Sequence, residues 1–376
     1  MRIGILTLPP HINYGGILQA YALQTVLERM GHKVEVFNNE ITLSRIPLWK
    51  RPLSYTKRFI QRYVVGDKKV HILEEERYYK YSLIANQNTN KFVDKYLHQR
   101  IIHSFKEIAP NDYDAIIVGS DQIWRRAYFF AWQNAKDSDA YLGFTDGWDI
   151  IRIAYAASFG TDKIEVPNKN IPSCKKAIKK FRSISVREKS GVDVCRRVFD
   201  VTAVWMPDPT LLLSQEDYKK LFYYKVNEPN NKLLVSYILD SNEEKKELRD
   251  RIAKEKGLNL YIPNKSDESK YSNEFKPQES VEKWLSAFAN ASYVILDSFH
   301  GCVFSILFHK QFTVVANKER GIDRFTSLLE MFGLGDRLID SPSEYHELPD
   351  IDYAKVDRLI KYRRDEAIRF LTENLK

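Results

Sequence analysis

Short apolar, β-branched runs alternate along this chain with longer stretches in which apolar residues recur every three or four positions. The first pattern suits a buried strand and the second one face of a helix, so the alternation predicts βα units on a mostly parallel sheet. Residues 2–8 read as a strand. Residues 16–30 read as a helix with Ile17, Ala20, Tyr21, Leu23, Val26 and Leu27 mostly on one face, and Gly31 closes it. A second strand is expected at 33–37, and further strands at 113–118, 152–158 and 183–186. Helices are expected at 174–181 and from 189 to 195. The stretch 41–105 is polar, basic and rich in tyrosine, and reads as helical only in part.

Met206-Pro207-Asp208-Pro209 interrupts regular structure. The alternation then starts again, with strands expected at 232–239, 259–262, 293–296 and 312–316. Helices are expected at 243–256, 280–290 and 302–308, and a long amphipathic one at 353–373. A chain of 376 residues exceeds the size at which one core usually stops growing. The expected architecture is therefore α/β, with two Rossmann-like domains facing across a cleft in a GT-B-like arrangement. Residues 1–205 form the first domain and 206–345 the second, and 346–376 a C-terminal helix crossing back onto the first.

Composition narrows the class. No apolar run approaches the roughly 20 residues needed to span a bilayer, and the first ten residues are too short in apolar character for a signal peptide. A cytoplasmic protein is expected. The three cysteines, Cys174, Cys195 and Cys302, show no metal-ligand spacing and read as reduced thiols, so no metal site is expected. The net charge of +8 is modest, but basic residues cluster between Arg45 and Lys69. Trp49, Tyr55, Phe59 and Tyr63 are interleaved among them, and Asp67 is the only acid there. That segment reads either as a solvated helical face or as a peripheral contact with an anionic membrane. Nucleic acid is not an expected partner.

In open parallel sheets ligands bind beyond the carboxyl ends of the strands, so the strand-to-helix turns carry the candidate chemistry. Asn13, Gly15, Gly16 and Gln19 lie in the first such turn, where a glycine pair either makes a tight turn or lets a ligand approach helix N–H groups. Ser120, Asp121 and Trp124 lie in the next. They either cap a helix or form a sugar site, with Asp121 accepting from hydroxyls and Trp124 against a ring face. Arg187 follows a strand, and its planar fork suits a carboxylate or phosphate. Glu188 is expected to be a poor partner for it, because neighbours on a strand point to opposite faces. In Asp297-Ser298-Phe299-His300-Gly301-Cys302, a histidine meets the start of an apolar helix. An imidazolium there is disfavoured by the helix dipole unless an anion is present, which favours a ligand-linked role over a cap. Arg320 and Arg324 follow the next strand, as ligand contacts or as surface charge.

In this order, the segments Asn13–Gln24, Ile117–Trp124, Ser185–Glu188, Asp208–Leu213, Asp297–Gly301 and Arg320–Phe325 resemble the polysaccharide pyruvyltransferase family. The resemblance implies transfer of an enolpyruvyl group from phosphoenolpyruvate to a sugar, free in a polysaccharide or polyprenyl-linked, closing a cyclic pyruvate ketal without a cofactor. It implies that His300 is the general acid and that Arg187 binds the anionic donor. Donor binding then falls mainly to the second domain, at His300, Ser298, Gly301, Arg320 and Arg324, and acceptor binding to the first. Arg125 departs from the asparagine frequent in the family, and 126–148 is an aromatic-rich insert. A nucleotide-sugar glycosyltransferase and a non-catalytic partner in polysaccharide assembly are the competing readings. A hydride-transfer enzyme is disfavoured because the first turn lacks a G-x-G-x-x-G motif.

Overall fold

A computed structural model describes the chain except residues 41–47, 68–69, 133–134, 223–231, 264–274 and 318–320. Seven parallel strands form the first sheet: β1 (Arg2–Leu6), β2 (Lys33–Asn38), β3 (Gln99–Ile101), β4 (Ala115–Val118), β5 (Ile151–Ala157), β6 (Ser183–Val186) and β7 (Val204–Trp205). Their spatial order is β3-β2-β1-β4-β5-β6-β7. Five parallel strands form the second: β8 (Leu233–Tyr237), β9 (Asn259–Tyr261), β10 (Tyr293–Leu296), β11 (Gln311–Val315) and β12 (Leu338–Ile339), ordered β12-β11-β10-β8-β9. Each order reverses direction once, between β1 and β4 in the first sheet and between β8 and β10 in the second. A crevice opens beyond the strand ends at such reversals. The turns after β1, β4 and β10 therefore come together at one cleft.

The pattern of apolar residues located the central strands, whose positions are buried almost throughout. The short edge strands β3, β7 and β12 were not expected, because two or three partly exposed residues carry no period to read. The stretch from 41 to 105, expected to be helical in part, holds among its described residues three helices after α1 (Tyr14–Arg29): α2 (Arg51–Tyr63), α3 (Glu74–Ala85) and α4 (Gln87–Tyr96).

Helix α1 is buried on nearly all sides, including its glycines and both glutamines. It packs on the first sheet and also meets the second half, where the Tyr14 ring stacks on Trp284 at 5.4 Å and its hydroxyl donates to the Glu279 carbonyl. One apolar cluster accordingly runs from Ile3 and Ile117 in the first sheet through α1 to Trp284, Phe304 and Val314 in the second half. The crossing segment is buried too. Tyr155 donates to the Pro207 carbonyl at 3.0 Å, and Asp208 is 1% exposed. The last helix, Tyr353–Asn374, lies back along the first sheet's side of the molecule. Arg364 donates to the carbonyls of Leu211 and Leu213, Phe370 meets Tyr155, and Arg182 donates to the carbonyls of Asn374 and Lys376. Among the described residues, no helix is long and apolar enough to cross a membrane.

Where the halves touch, glycine is a steric requirement. Gly321 has φ +89°, and a Cβ there would lie 1.9 Å from the carbonyl oxygen of Gly160 in the other half. The substitution Gly321→Ala combines backbone strain with an inter-half clash. It is expected to destabilise the protein by more than about 1 kcal/mol, read from the midpoint of chemical denaturation.

Candidate active site at the cleft between the sheets

The cleft has a volume of about 630 Å³, and its walls come from both halves. From the first half it takes the turn after β1, with His11, Asn13 and Gly16, and the turn after β4, with Asp121. From the second it takes Ser298, Phe299, His300 and Arg324. Asn13 is the N-cap of α1 and accepts from the N–H groups of Gly15 and Gly16 at 3.0 and 3.3 Å. The glycine pair therefore lies inside the first helical turn. A Cβ on Gly15 would come within 1.9 Å of His300 Nδ1, so only glycine lets the imidazole close on this turn. Asp121 holds a left-handed backbone (φ 54°), which Asp tolerates better than most residues. Its carbonyl is fixed by the Ser158 N–H at 3.0 Å.

His300 lies in the first turn of the helix Phe299–Leu307. Ser298 caps that helix by accepting from the Gly301 N–H at 3.3 Å. Behind it, the buried carboxylate of Asp297 accepts from the N–H groups of Leu239 and Asp240, from Lys245 and from Asn317, and so ties the β8 turn to the β10 turn. The counter-charge for an imidazolium is built in: His300 Nε2 lies 3.5 Å from Asp208 Oδ2. Asp208 also accepts from Arg187 at 2.8 Å and from the amide and hydroxyl of Thr210 at 3.0 and 2.7 Å. Burial pushes the Asp208 carboxyl up, but His300 and Arg187 outweigh it and hold the group well below the usual carboxylate range. His300 Nε2 and two guanidinium nitrogens of Arg187, Nε and Nη2, are buried without a hydrogen-bond partner among the described residues.

Several expected site residues take other places. Arg187 does not line the cleft. It is 3% exposed, stacks on the Phe299 ring at 4.2 Å and is paired to Asp208, with Asp121 at 3.5 Å. Glu188, expected to point away, lies 3.6 Å from Arg187 Nε, because both residues follow the end of β6 and strand alternation no longer applies. Burial raises the Glu188 carboxyl despite Arg187 and its hydrogen bond from Ser158. Trp124 is a core residue. Its indole donates to the Ala140 carbonyl at 2.9 Å and packs on Tyr141 and Phe159, so it offers no face to a sugar. The 126–148 insert supplies much of that core through Phe129, Trp132 and Tyr141. Ser120 is fully buried, with its hydroxyl 2.8 Å from the Ala156 carbonyl and 3.2 Å from Asp208. Gln19 braces the same turn by bonding Thr7, the Gly16 carbonyl and the Ser120 N–H. Gly301 makes room for Tyr237, 3.1 Å from where a Cβ would stand. Arg320 lies outside the described residues.

Arg324 is the basic side chain on the cleft wall. Burial first, and then Arg187, push its guanidinium down to about 10, while Asp121 and Glu188 oppose the shift. It remains charged at neutral pH. His11 was not anticipated. Its Nε2 donates to the Asn39 Oδ1 at 3.1 Å, and burial lowers it below the ordinary histidine value. Tyr78, Tyr81 and Ser82 of α3 also line the cleft. The three thiols are buried, and burial pushes Cys174 up to about 11 and Cys195 to about 12.

A family model described as polysaccharide pyruvyl transferase matches residues 13–319, most of the chain. No curated protein matches it. The structure resembles that of Arabidopsis thaliana UGT89C1 complexed with UDP, at a TM-score of 0.50 and 10% identity over 100% of both chains. It also resembles UDP-GlcNAc 2-epimerase from Neisseria meningitidis bound to UDP-GlcNAc, at a TM-score of 0.45 and 9% identity over 100% of this chain and 99% of that one. The fold is GT-B-like.

Asp208 is the buried partner of the Arg187 guanidinium, so Asp208→Ala is expected to destabilise the fold by roughly 3–5 kcal/mol, as loss of one partner of a buried ion pair does. Denaturant titration of the purified variant measures it.

Proposed function

The chain belongs to the polysaccharide pyruvyl transferase family, and from that premise we propose that its cleft transfers the pyruvyl group of phosphoenolpyruvate to a sugar as a cyclic ketal. The observation that carries this reading is His300 itself. An imidazole with a built-in counter-charge stands on the cleft wall, in the first turn of a helix and beside a buried arginine. The helix N–H groups and Arg324 suit the phosphate and carboxylate of the donor. This assigns the anion contact to Arg324, and makes Arg187 a positioning residue that holds Asp208 against His300.

In the proposed sequence His300 gives a proton to the methylene carbon of phosphoenolpyruvate, breaking its double bond and leaving a cation at C2. A sugar hydroxyl attacks C2 and loses its proton, for which His11, kept neutral by burial, is the candidate acceptor. A second hydroxyl of the same sugar then displaces phosphate from C2, and its proton leaves with the phosphate. The products are the ketal and inorganic phosphate. The acceptor is a sugar of a polysaccharide or of its polyprenyl-linked precursor, met at the first-half wall by Asp121 and Asn13.

Phosphoenolpyruvate is expected to raise the thermal midpoint of the protein, and UDP to leave it unchanged. Protection by UDP alone would assign the cleft to a nucleotide sugar. His300→Gln is expected to keep donor binding and lose about 10²–10⁴-fold in phosphate release with acceptor present. Full turnover by a folded His300→Gln protein would remove it from the reaction.

The two arginines separate in a second experiment. Arg324→Lys keeps a charge but loses the planar fork, so the apparent KM for phosphoenolpyruvate is expected to rise about tenfold or more. Arg187→Lys is expected to lower stability and kcat with little change in that KM. A KM effect confined to Arg187→Lys would return the anion contact to Arg187.

A further inference from the structure

Helix α2 is amphipathic in the opposite sense to an ordinary surface helix. Leu53, Ile60 and Val64 recur at spacings of seven and four, so they lie on one stripe, and Trp49 stands in the 3-10 turn just before it. That stripe points outward: Leu53 is 78% exposed, Ile60 45% and Val64 74%, and Trp49 before it is 77% exposed. The polar face turns toward the protein. Arg58 pairs with Glu75 of α3 at 2.7 Å and donates to the Ile72 carbonyl, while Arg62 donates to the Val70 carbonyl. These contacts hold the apolar side in the solvent rather than against the core. No residue of α2 is buried.

From this orientation we propose that α2 and the turn before it form a docking surface for an anionic lipid bilayer. An exposed apolar stripe on a helix of low overall hydrophobicity suits the plane of a membrane interface. The charge on the page selects the occupant. Arg51 and Lys57 lie in α2 and Lys50 precedes it, the helix contains no acid, and of its other two arginines Arg58 is already paired with Glu75. A second copy of the same helix laid on this stripe would meet like charge, whereas anionic headgroups meet opposite charge. Lys50 and Lys57 are exposed beside the stripe. Trp49 and Tyr63, one with its ring under the Lys50 ammonium at 4.6 Å, are the side chains that settle where apolar and wet regions meet. The surface adjoins the cleft through α3, which grips α2 at Glu75 and lines the cleft with Tyr78, Tyr81 and Ser82. Docking would therefore bring the cleft to the lipid surface. The inference rests on α2 alone and holds whatever reaction the cleft performs.

The test is co-sedimentation of the full chain with vesicles of phosphatidylglycerol and phosphatidylcholine in equal parts, or of phosphatidylcholine alone, without substrates. The protein is expected to pellet with the anionic vesicles at low salt and to be released at about 1 M salt, where charge is screened within about 3 Å. Changing Lys50 and Lys57 to Gln is expected to weaken binding roughly tenfold or more. Changing Leu53, Ile60 and Val64 to Ser is expected to abolish binding while leaving circular dichroism unchanged, because all three face solvent. Failure to pellet with anionic vesicles at low salt overturns the proposal, as does equal binding to phosphatidylcholine that survives the serine changes. A wild type that is dimeric in ultracentrifugation and monomeric with those changes would assign the stripe to a second copy and overturn it equally. Loss of pyruvyl transfer with vesicle binding intact would count against the reaction, not the docking.

Discussion

The buried carboxylate of Asp208 is the interaction on which the rest of this molecule is arranged. It receives Arg187 from the first half and stands 3.5 Å from His300 of the second, and the segment that carries it is the one that crosses between them. A lone carboxylate at 1% exposure would be costly. With the Arg187 guanidinium, the His300 imidazole and the donors of Thr210 around it, it becomes the seam of the fold. Arg187, Glu188, Asp121 and Arg324 then fill out a cluster in which acids and bases offset one another, and Phe299 lies between the two guanidinium groups at 4.2 and 5.7 Å.

Much of the architecture could be read from the chain. The buried central strands follow from apolar periodicity. The importance of the strand-end turns follows from the geometry of parallel sheets. His300 stood out because a histidine at the start of an apolar helix is electrostatically odd, and the structure supplies the missing anion from within the protein. What could not be read were the directions of side chains beyond strand ends. Arg187 and Glu188 follow β6, where alternation stops, so their facing was misjudged. Trp124 has the composition of a sugar platform, but only tertiary packing against Tyr141 and Phe159 shows that it is core. Asp208 looked like a turn residue next to proline, and no local rule could reveal partners 21 and 92 positions away in the sequence. Tyr78 and Tyr81 lay hidden in a polar stretch without a clear period, although the number of tyrosines there was itself a signal.

The two faces of the cleft differ in chemistry, as the donor and acceptor of the proposed reaction do. The second-half wall presents a helix N-terminus, an imidazole and a guanidinium, which favour a compact polyanion. The first-half wall presents Asp121, Asn13 and the tyrosines of α3, which favour hydroxyl groups and ring faces. The proposed reaction needs both at once, and glycine at position 15 is what lets the walls meet at His300.

Because Asp208 is fastened to the first half through Arg187 and His300 belongs to the second, their ion pair is also a latch. A rotation that opened the cleft would stretch it, while a charge on the imidazole would strengthen it. Thermodynamic linkage then requires reciprocity: whatever closure contributes to holding the proton, the proton contributes equally to holding the halves closed. If His300 delivers that proton as in the proposed reaction, the charge that fastened the latch is lost, and the chemical step itself loosens the seam between the halves.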